Sequence, residues 1–168
     1  MRLRRATEAD VPALLALING YAARNLLLHR TELSVRSRLG DFVVAVDDDE
    51  GEVVGCAALT ALGPGLGEVR SLAVRQDHEG HGLGRAMVES FLAEASQRGF
   101  VEVLALTRRR SFFEGLGFEV TRRERFLDKL LADCQACPMN PACDEIAMVR
   151  TPPGVAEPRP VMNGVECR

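Results

Sequence analysis

The sequence predicts a mixed α/β (α+β) domain: one central sheet of about six to seven strands, flanked by helices. Three observations carry that expectation. β-branched runs alternate with amphipathic runs, a glycine-rich break sits between one strand and one helix, and an apolar content of 46% runs through 168 residues. That chain is long enough for a substantial core and short for two domains.

The elements follow in order. Residues 2–6 read as a short strand. In "TEADVPALLALINGYAARNLLL", Val11, Leu14, Leu15 and Ile18 recur at helical spacing, with Thr7 or Asp10 as N-cap and Pro12 near enough to the start to be tolerated. "TELSVRSRLG" reads as a short second helix ending at Gly40. "FVVAV" and "VVGCAAL" are β-branched runs around the acidic turn "DDDEGE", hence an antiparallel hairpin. "GPGLG" breaks the chain, and "EVRSLAV" alternates into a further long strand that runs into the glycine loop "EGHGLG". The helix after that loop places Met87, Val88, Phe91, Leu92 and Ala95 on one side and stops at Gly99. "VEVLALT" reads as a strand buried on both faces, "RRSFFEGL" as a short helix ending at Gly117, and "FEV" as another strand. Residues 124–133 look helical, 134–143 form a cysteine-bearing loop, and "DEIAMV" is the closing strand. Residues 1–150 are thus expected to form the domain. Residues 151–168, with half of the eight prolines and no periodicity, are expected to be an irregular tail.

A net charge of −3 offers no general attraction to nucleic acid or anionic membrane, and no apolar run approaches the ~18 residues of a spanning helix. The N-terminus "MRLRRATEAD" lacks the apolar core and cleavage site of a signal peptide, so the expected location is cytoplasmic. All but one of the 21 basic residues are Arg; the exception is Lys129.

Successive N–H groups converge on an anion only where side chains leave room, and a helix N-terminus adds free donors with a partial positive charge. "EGHGLG" supplies both. A dinucleotide fingerprint fits poorly, because it requires a parallel βαβ unit and the preceding strands read as an antiparallel meander. The pattern Glu79-Gly80-His81-Gly82-Leu83-Gly84 resembles the Q/R-x-x-G-x-G/A pyrophosphate loop of the GNAT N-acetyltransferases, with Glu79 where that family prefers Gln or Arg. "EVRSLAV" before the loop and "FFEGLGF", similar to the family's F-Y-x-x-x-G-F, stand in the matching order. The resemblance covers residues 2–123 and implies the GNAT fold with acetyl-CoA as cosubstrate. It places the cofactor on Leu72, Ala73 and Val74 and on Gly80, His81, Gly82, Leu83, Gly84 and Arg85.

The C-terminal part narrows the resemblance. Lys129, Asp133, Cys134, Cys137, Cys143, Glu145 and Ala147 stand as in the K-x-x-x-D-C-x-x-C and C-x-E-x-A signature of the short, single-domain N-acetylglutamate synthase group. That likeness implies transfer of acetyl to the α-amine of L-glutamate, the first step of arginine biosynthesis. The alternatives are a GNAT enzyme acting on another small-molecule or peptide amine, and a non-catalytic CoA-binding regulatory module. Expected partners are the small-molecule amine and a second copy in a homodimer, with no nucleic acid and no membrane.

The chemistry can be read on single residues. Strand alternation places Glu68 and Arg70 on one face, about 6.5–7 Å apart by strand rise. Glu68 can take the ammonium proton, directly or through a water, while Arg70 binds a substrate carboxylate. The plainer reading is a surface ion pair between strand neighbours. By resemblance, the backbone N–H near Val74 polarises the thioester carbonyl. A dicarboxylate needs two cationic anchors, and Arg30, Arg70 and Lys129 are the candidates, Arg30 and Lys129 by the same likeness. Phe113, preceded by Phe112, stands where many relatives carry a proton-donating Tyr, and the only tyrosine, Tyr21, lies on the first helix. Departure of CoA as a thiolate, or its protonation by water, is the resulting expectation. Cys134, Cys137 and Cys143 have metal-like spacing but lack a fourth ligand, so structural zinc, a disulfide and reduced packing thiols all stay open. A Cys nucleophile for ping-pong transfer has no sequence-adjacent His partner. Cys56 reads as a small buried hydrophobe and Cys167 as part of the tail.

Overall fold

The computed structural model describes residues 1–126, 134, 135, 137 and 142–156. Among them, β1 (Arg2–Arg5), β2 (Phe42–Val46), β3 (Val53–Gly63), β4 (Leu66–Val74), β5 (Glu102–Thr107), β6 (Glu119–Thr121) and β7 (Ile146–Arg150) form one seven-stranded sheet in the order β1-β2-β3-β4-β5-β7-β6. β4 and β5 are parallel and every other neighbouring pair is antiparallel. The mixed sheet follows from the connections. Tight turns join β2 to β3 and β3 to β4, whereas β4 reaches β5 through α3 (Leu83–Ala95), as a parallel crossover requires.

The two faces of the sheet carry different cores. Met87, Val88, Phe91, Leu92 and Ala95 of α3, all buried, pack with Val43, Ala45, Ala57, Leu59, Val69, Val103 and Ala105. The other face is covered by α1 (Val11–Ala22), whose Val11, Leu14 and Ile18 pack with Val44, Val46, Cys56, Ala58 and Ala73. A third cluster on the strands beyond comprises Leu104, Phe126 and Ala147. Burying a large apolar side chain contributes about 1.5–3 kcal/mol, so the helical stripe of α3 is the largest single source of docking energy for that helix.

Local chemistry sets the element ends. Asp10 accepts hydrogen bonds from Thr7 N (2.7 Å) and Thr7 Oγ1 (2.9 Å) just ahead of α1. Both Arg4 guanidinium nitrogens, at 2.7 and 2.8 Å, hold the Asp10 carboxyl well below the usual carboxylate range. The second helix, α2 (Glu32–Arg36), is capped by Thr31 Oγ1, which accepts from Ser34 N at 3.2 Å. It ends before the expected Gly40, and a separate 3-10 turn covers Leu39–Asp41. Ser34 and Ser37 hydroxyls donate to the carbonyls of Thr31 and Ser34, local bonding that competes with helix continuation. Of the helix expected over 124–133 only the first three residues are described: Arg123–Arg125 form a 3-10 turn, and residues 127–133, with Lys129 and Asp133, lie outside the described residues. Residues 151–156 are irregular, and the remainder of the expected tail, with Cys167, also lies outside them. Among the described residues no helix is long and apolar enough to cross a membrane.

Candidate active site

β4 organises the site because its register changes part-way along. Cys56 of β3 faces Ala73 and Ala58 faces Arg70, so two steps on β3 span three on β4. The extra residue falls at Ser71–Leu72, and Ser71 has a φ of +53° without being glycine. The parallel ladder with β5 covers Leu66–Val69 against Glu102–Ala105 and goes no further. Past Val69 the two strands part, and the main-chain groups of residues 70–74 leave the β4–β5 ladder. The bulge also turns Leu72 and Val74 toward the α3 core while Ala73 packs on the α1 side.

The chain leaves β4 through a 3-10 turn at Gln76–His78 and enters the glycine loop. Gly80 and Gly82 have φ of +81° and +78°, and a Cβ at either would meet open space. Their requirement is therefore conformational, a left-handed backbone costing roughly 1–2 kcal/mol for other residues. Gly82 is the N-cap of α3 and no side chain caps that helix, so its first N–H groups keep their capacity for an external anion. Arg85 at the same end bonds Glu89 Oε1 (2.9 Å) and the Gly115 carbonyl (2.5 Å). His81 is exposed and Leu83 is buried in the α3 core.

The loop is held on both sides. His78 Nδ1 lies 2.8 Å from Asp77 Oδ1 and Nε2 lies 3.2 Å from Asp47 Oδ2, so both ring nitrogens face carboxylates. The hydrogen bond to Asp77, then that to Asp47, raises the His78 pKa against the opposing effect of desolvation. Asp77, bonded to His78 and Arg75, is lowered to about 2. On the other side the Tyr21 hydroxyl, at the end of α1, reaches the Val74 carbonyl at 2.5 Å and Glu79 Oε1 at 2.7 Å. Desolvation first, then the Glu79 contact, raises the Tyr21 pKa to about 12. Tyr21 sits 53 and 58 residues from these partners, and no short-range pattern in the sequence announces the contact.

Glu68 and Arg70 project from the α1 face of β4, at the seam between two apolar clusters. The residues opposite Glu68 are Thr60 on β3 and Leu104 on β5, and Ala58 lies opposite Arg70. Arg70 Nε is 3.7 Å from Glu68 Oε2, with the side chains 13% and 3% exposed. The structure therefore replaces the surface ion pair with one between a buried carboxylate and a partly buried guanidinium, which has to offset a desolvation cost. Thr60, 2% exposed, has a buried Oγ1 with no hydrogen-bond partner among the described residues. Its only sequence signal was a hydroxyl in an otherwise apolar strand. Arg30 is pinned by its main chain to α1, donating to Asn19 Oδ1 (2.9 Å) and accepting from Asn19 Nδ2 (3.0 Å). Nearby, Arg108 donates to the Asn25 carbonyl at 2.8 Å and pairs with Asp144, tying the end of α1 to the end of β5. Lys129, the third expected anchor, lies outside the described residues.

Phe113 is 5% exposed and packs edge-to-face on Phe118 and Phe112 at 5.1 Å, so the position of the missing tyrosine is core. The expected metal loop is not gathered: among the described residues no three His, Cys, Asp or Glu side chains could hold an ion. Cys143 Sγ instead accepts from Arg123 Nη2 at 3.2 Å. Cys137 and Cys143 are free thiols, against a disulfide between those two. Cys56 is buried as expected, and burial pushes its thiol up to about 12, far from a thiolate nucleophile at neutral pH.

A family model described as an acetyltransferase (GNAT) domain matches residues 38–120, which span the bulged strand, the glycine loop and α3. An uncharacterized N-acetyltransferase of Chlorobaculum tepidum is 39% identical over 149 residues, covering 89% of this chain and 95% of the relative. The chain belongs to the GNAT acetyltransferase family. A second relative, named amino-acid acetyltransferase, from Mycobacterium tuberculosis, is 38% identical over 117 residues, covering 69% of this chain and 67% of its own. Among solved structures, N-acetylglutamate synthase from Neisseria gonorrhoeae, complexed with coenzyme A and N-acetyl-glutamate, superposes with a TM-score of 0.79 at 25% identity. That match covers 90% of this chain and 35% of the longer synthase chain. The GNAT fold, the acyltransferase class and the kinship with amino-acid acetyltransferases are thereby established for this protein.

Proposed function

We propose that this GNAT acetyltransferase transfers the acetyl group of acetyl-CoA to the α-amine of L-glutamate, the reaction that opens arginine biosynthesis. The observation that carries the reading is the Glu68–Arg70 pair on β4, beside the point where β4 and β5 part. A generic amine site needs no guanidinium at this place; an acceptor that brings its own carboxylates does, and Arg70 stands there partly buried. The names of the Mycobacterium tuberculosis and Neisseria gonorrhoeae proteins, and the N-acetyl-glutamate in the latter's complex, support the same substrate class.

In this reading the glycine loop and the uncapped start of α3, from Gly80 to Arg85, take the pyrophosphate, and Leu72, Ala73 and Val74 line the pantetheine arm. Acetyl-CoA supplies the activated thioester. Glu68 accepts the ammonium proton, directly or through a water, freeing the lone pair that attacks the carbonyl carbon. A main-chain N–H of the segment ending at Val74 stabilises the developing oxyanion. When the C–S bond breaks, CoA departs as the thiolate or takes a proton from water, since Phe113 has none to donate. Arg70 holds one substrate carboxylate, and Arg30 and Lys129 are the candidates for the other. A structural zinc on the cysteine loop forms no part of the proposal, because the described donors do not come together.

Acetyl-CoA turnover separates this reading from its rivals. Fast thiol release with glutamate and little with other amines supports it. Turnover only with another amine, or CoA binding without turnover, overturns the glutamate assignment in favour of the corresponding alternative.

A further inference from the structure

The glycine loop carries an acidic residue at its mouth. Glu79 directly precedes the two left-handed glycines, and a carboxylate there repels the diphosphate that the same loop is read as binding. The structure shows where that charge is held. Glu79 Oε1 lies 2.7 Å from the Tyr21 hydroxyl, and the same hydroxyl lies 2.5 Å from the carbonyl of Val74, the last residue of β4. One hydroxyl proton serves one acceptor at a time, and an ionised carboxylate is the stronger acceptor of the two. Tyr21 is built into α1, whose Ile18 is fully buried, and the Arg24 guanidinium just past the end of that helix lies 5.6 Å from the Tyr21 ring centroid. Arg24 and Arg109 both place positive charge near this contact.

We propose that Tyr21 is a positioning residue for acetyl-CoA: its hydroxyl holds the Glu79 carboxylate against α1 and keeps that negative charge off the diphosphate path. The proposal rests on the reading that the glycine loop binds CoA. It also accounts for a glutamate where the resembling loops carry Gln or Arg. The unfavourable charge is tolerated because a tyrosine from a distant helix restrains it. The same hydroxyl joins α1 to the loop at Glu79 and to the end of β4 at Val74.

The test is CoA binding by calorimetry for wild type, Tyr21→Phe, Glu79→Gln, Glu79→Asp and the Tyr21→Phe/Glu79→Gln double variant, at low and high salt. Tyr21→Phe is expected to weaken CoA about three- to tenfold at low salt, with the loss shrinking at high salt as the freed charge is screened. Glu79→Asp keeps the charge but shortens the reach, and is expected to weaken CoA similarly. Glu79→Gln is expected to tighten it about two- to threefold, and in the Gln background Tyr21→Phe should cost less than about twofold. An equal loss in both backgrounds, a salt-independent loss, or a Glu79→Asp variant that binds like Glu79→Gln overturns the proposal. Failure of wild type to bind CoA, or a Gly82→Asp variant with wild-type affinity, instead overturns the loop assignment beneath it.

Discussion

The two ends of β4 handle charge in opposite ways. At its C-terminal end the chain runs into an exposed loop that is read as meeting an anion with main-chain N–H groups, and the side chains around it, His78 and Tyr21, restrain the loop's own acidic residues. In its first half, Glu68 and Arg70 are taken out of water and paired at 3.7 Å on the sheet face. Main-chain recognition asks for backbone freedom and is tolerant of side-chain identity. A buried pair asks for particular side chains, since removing one leaves the other charged and desolvated. Substitutions should therefore act selectively: those in the first half of β4 on turnover and amine choice, those in the loop on CoA affinity.

The largest expected effect is on Glu68. Glu68→Gln removes the proposed proton acceptor and should lower kcat by about 10²- to 10⁴-fold with the KM for acetyl-CoA little changed, measured by thiol release. A proportionate rise in the acetyl-CoA KM would erase the distinction between the two ends. Gly82→Asp should act the other way: CoA affinity falls at least about tenfold from like charge and left-handed strain, and stability falls by roughly 1–2 kcal/mol. Calorimetry and thermal melts read both quantities.

Thr60→Val probes the first half of β4 from the facing strand. Its buried hydroxyl lies opposite Glu68 with no hydrogen-bond partner among the described residues, so a near-isosteric methyl should raise stability by about 1 kcal/mol in urea unfolding. Turnover should fall, as for a site kept polar at the cost of stability. Lower stability would assign the hydroxyl a structural role. The smallest effect is expected from His78. Because its pKa is raised in the folded chain, the imidazolium contributes stability fully below its ordinary value near 6.5. That contribution fades as pH climbs through the higher folded value. Melting temperature should drop over that window in wild type and flatten in His78→Gln; a parallel decline in both would remove His78 from the loop's support.

Legibility divides along the same line. The α3 stripe, the hairpin around "DDDEGE" and the glycine loop were readable, because hydrophobic periodicity and glycine both report on local backbone. Glu68 and Arg70 were readable as a same-face pair, yet their burial was not, since exposure along a strand is set by elements packed from distant parts of the chain, such as α1 and Phe126 in the two apolar clusters on that side of the sheet. The bulge was silent: a serine with a φ of +53° carries none of the signal that glycine would. Tyr21 was set aside as a helix residue, and its arrival at Val74 and Glu79 is a product of packing alone. The cysteine spacing suggested a metal that the described side chains do not assemble to hold.

If the partly buried guanidinium beside Glu68 selects a dicarboxylate amine, kcat/KM for L-glutamate against L-glutamine, in wild type and Arg70→Ala, will show it. Wild type should prefer glutamate, and Arg70→Ala should lose about 2–4 kcal/mol of transition-state stabilisation with glutamate, roughly 30- to 1000-fold. If Arg70 holds the side-chain carboxylate, as the claim requires, the gap to glutamine narrows in that variant; if both substrates fall together, Arg70 holds the α-carboxylate and the choice of a dicarboxylate does not rest on it. Equal use of the two by the wild-type enzyme would contradict the claim and leave a GNAT acetyltransferase whose amine is something else.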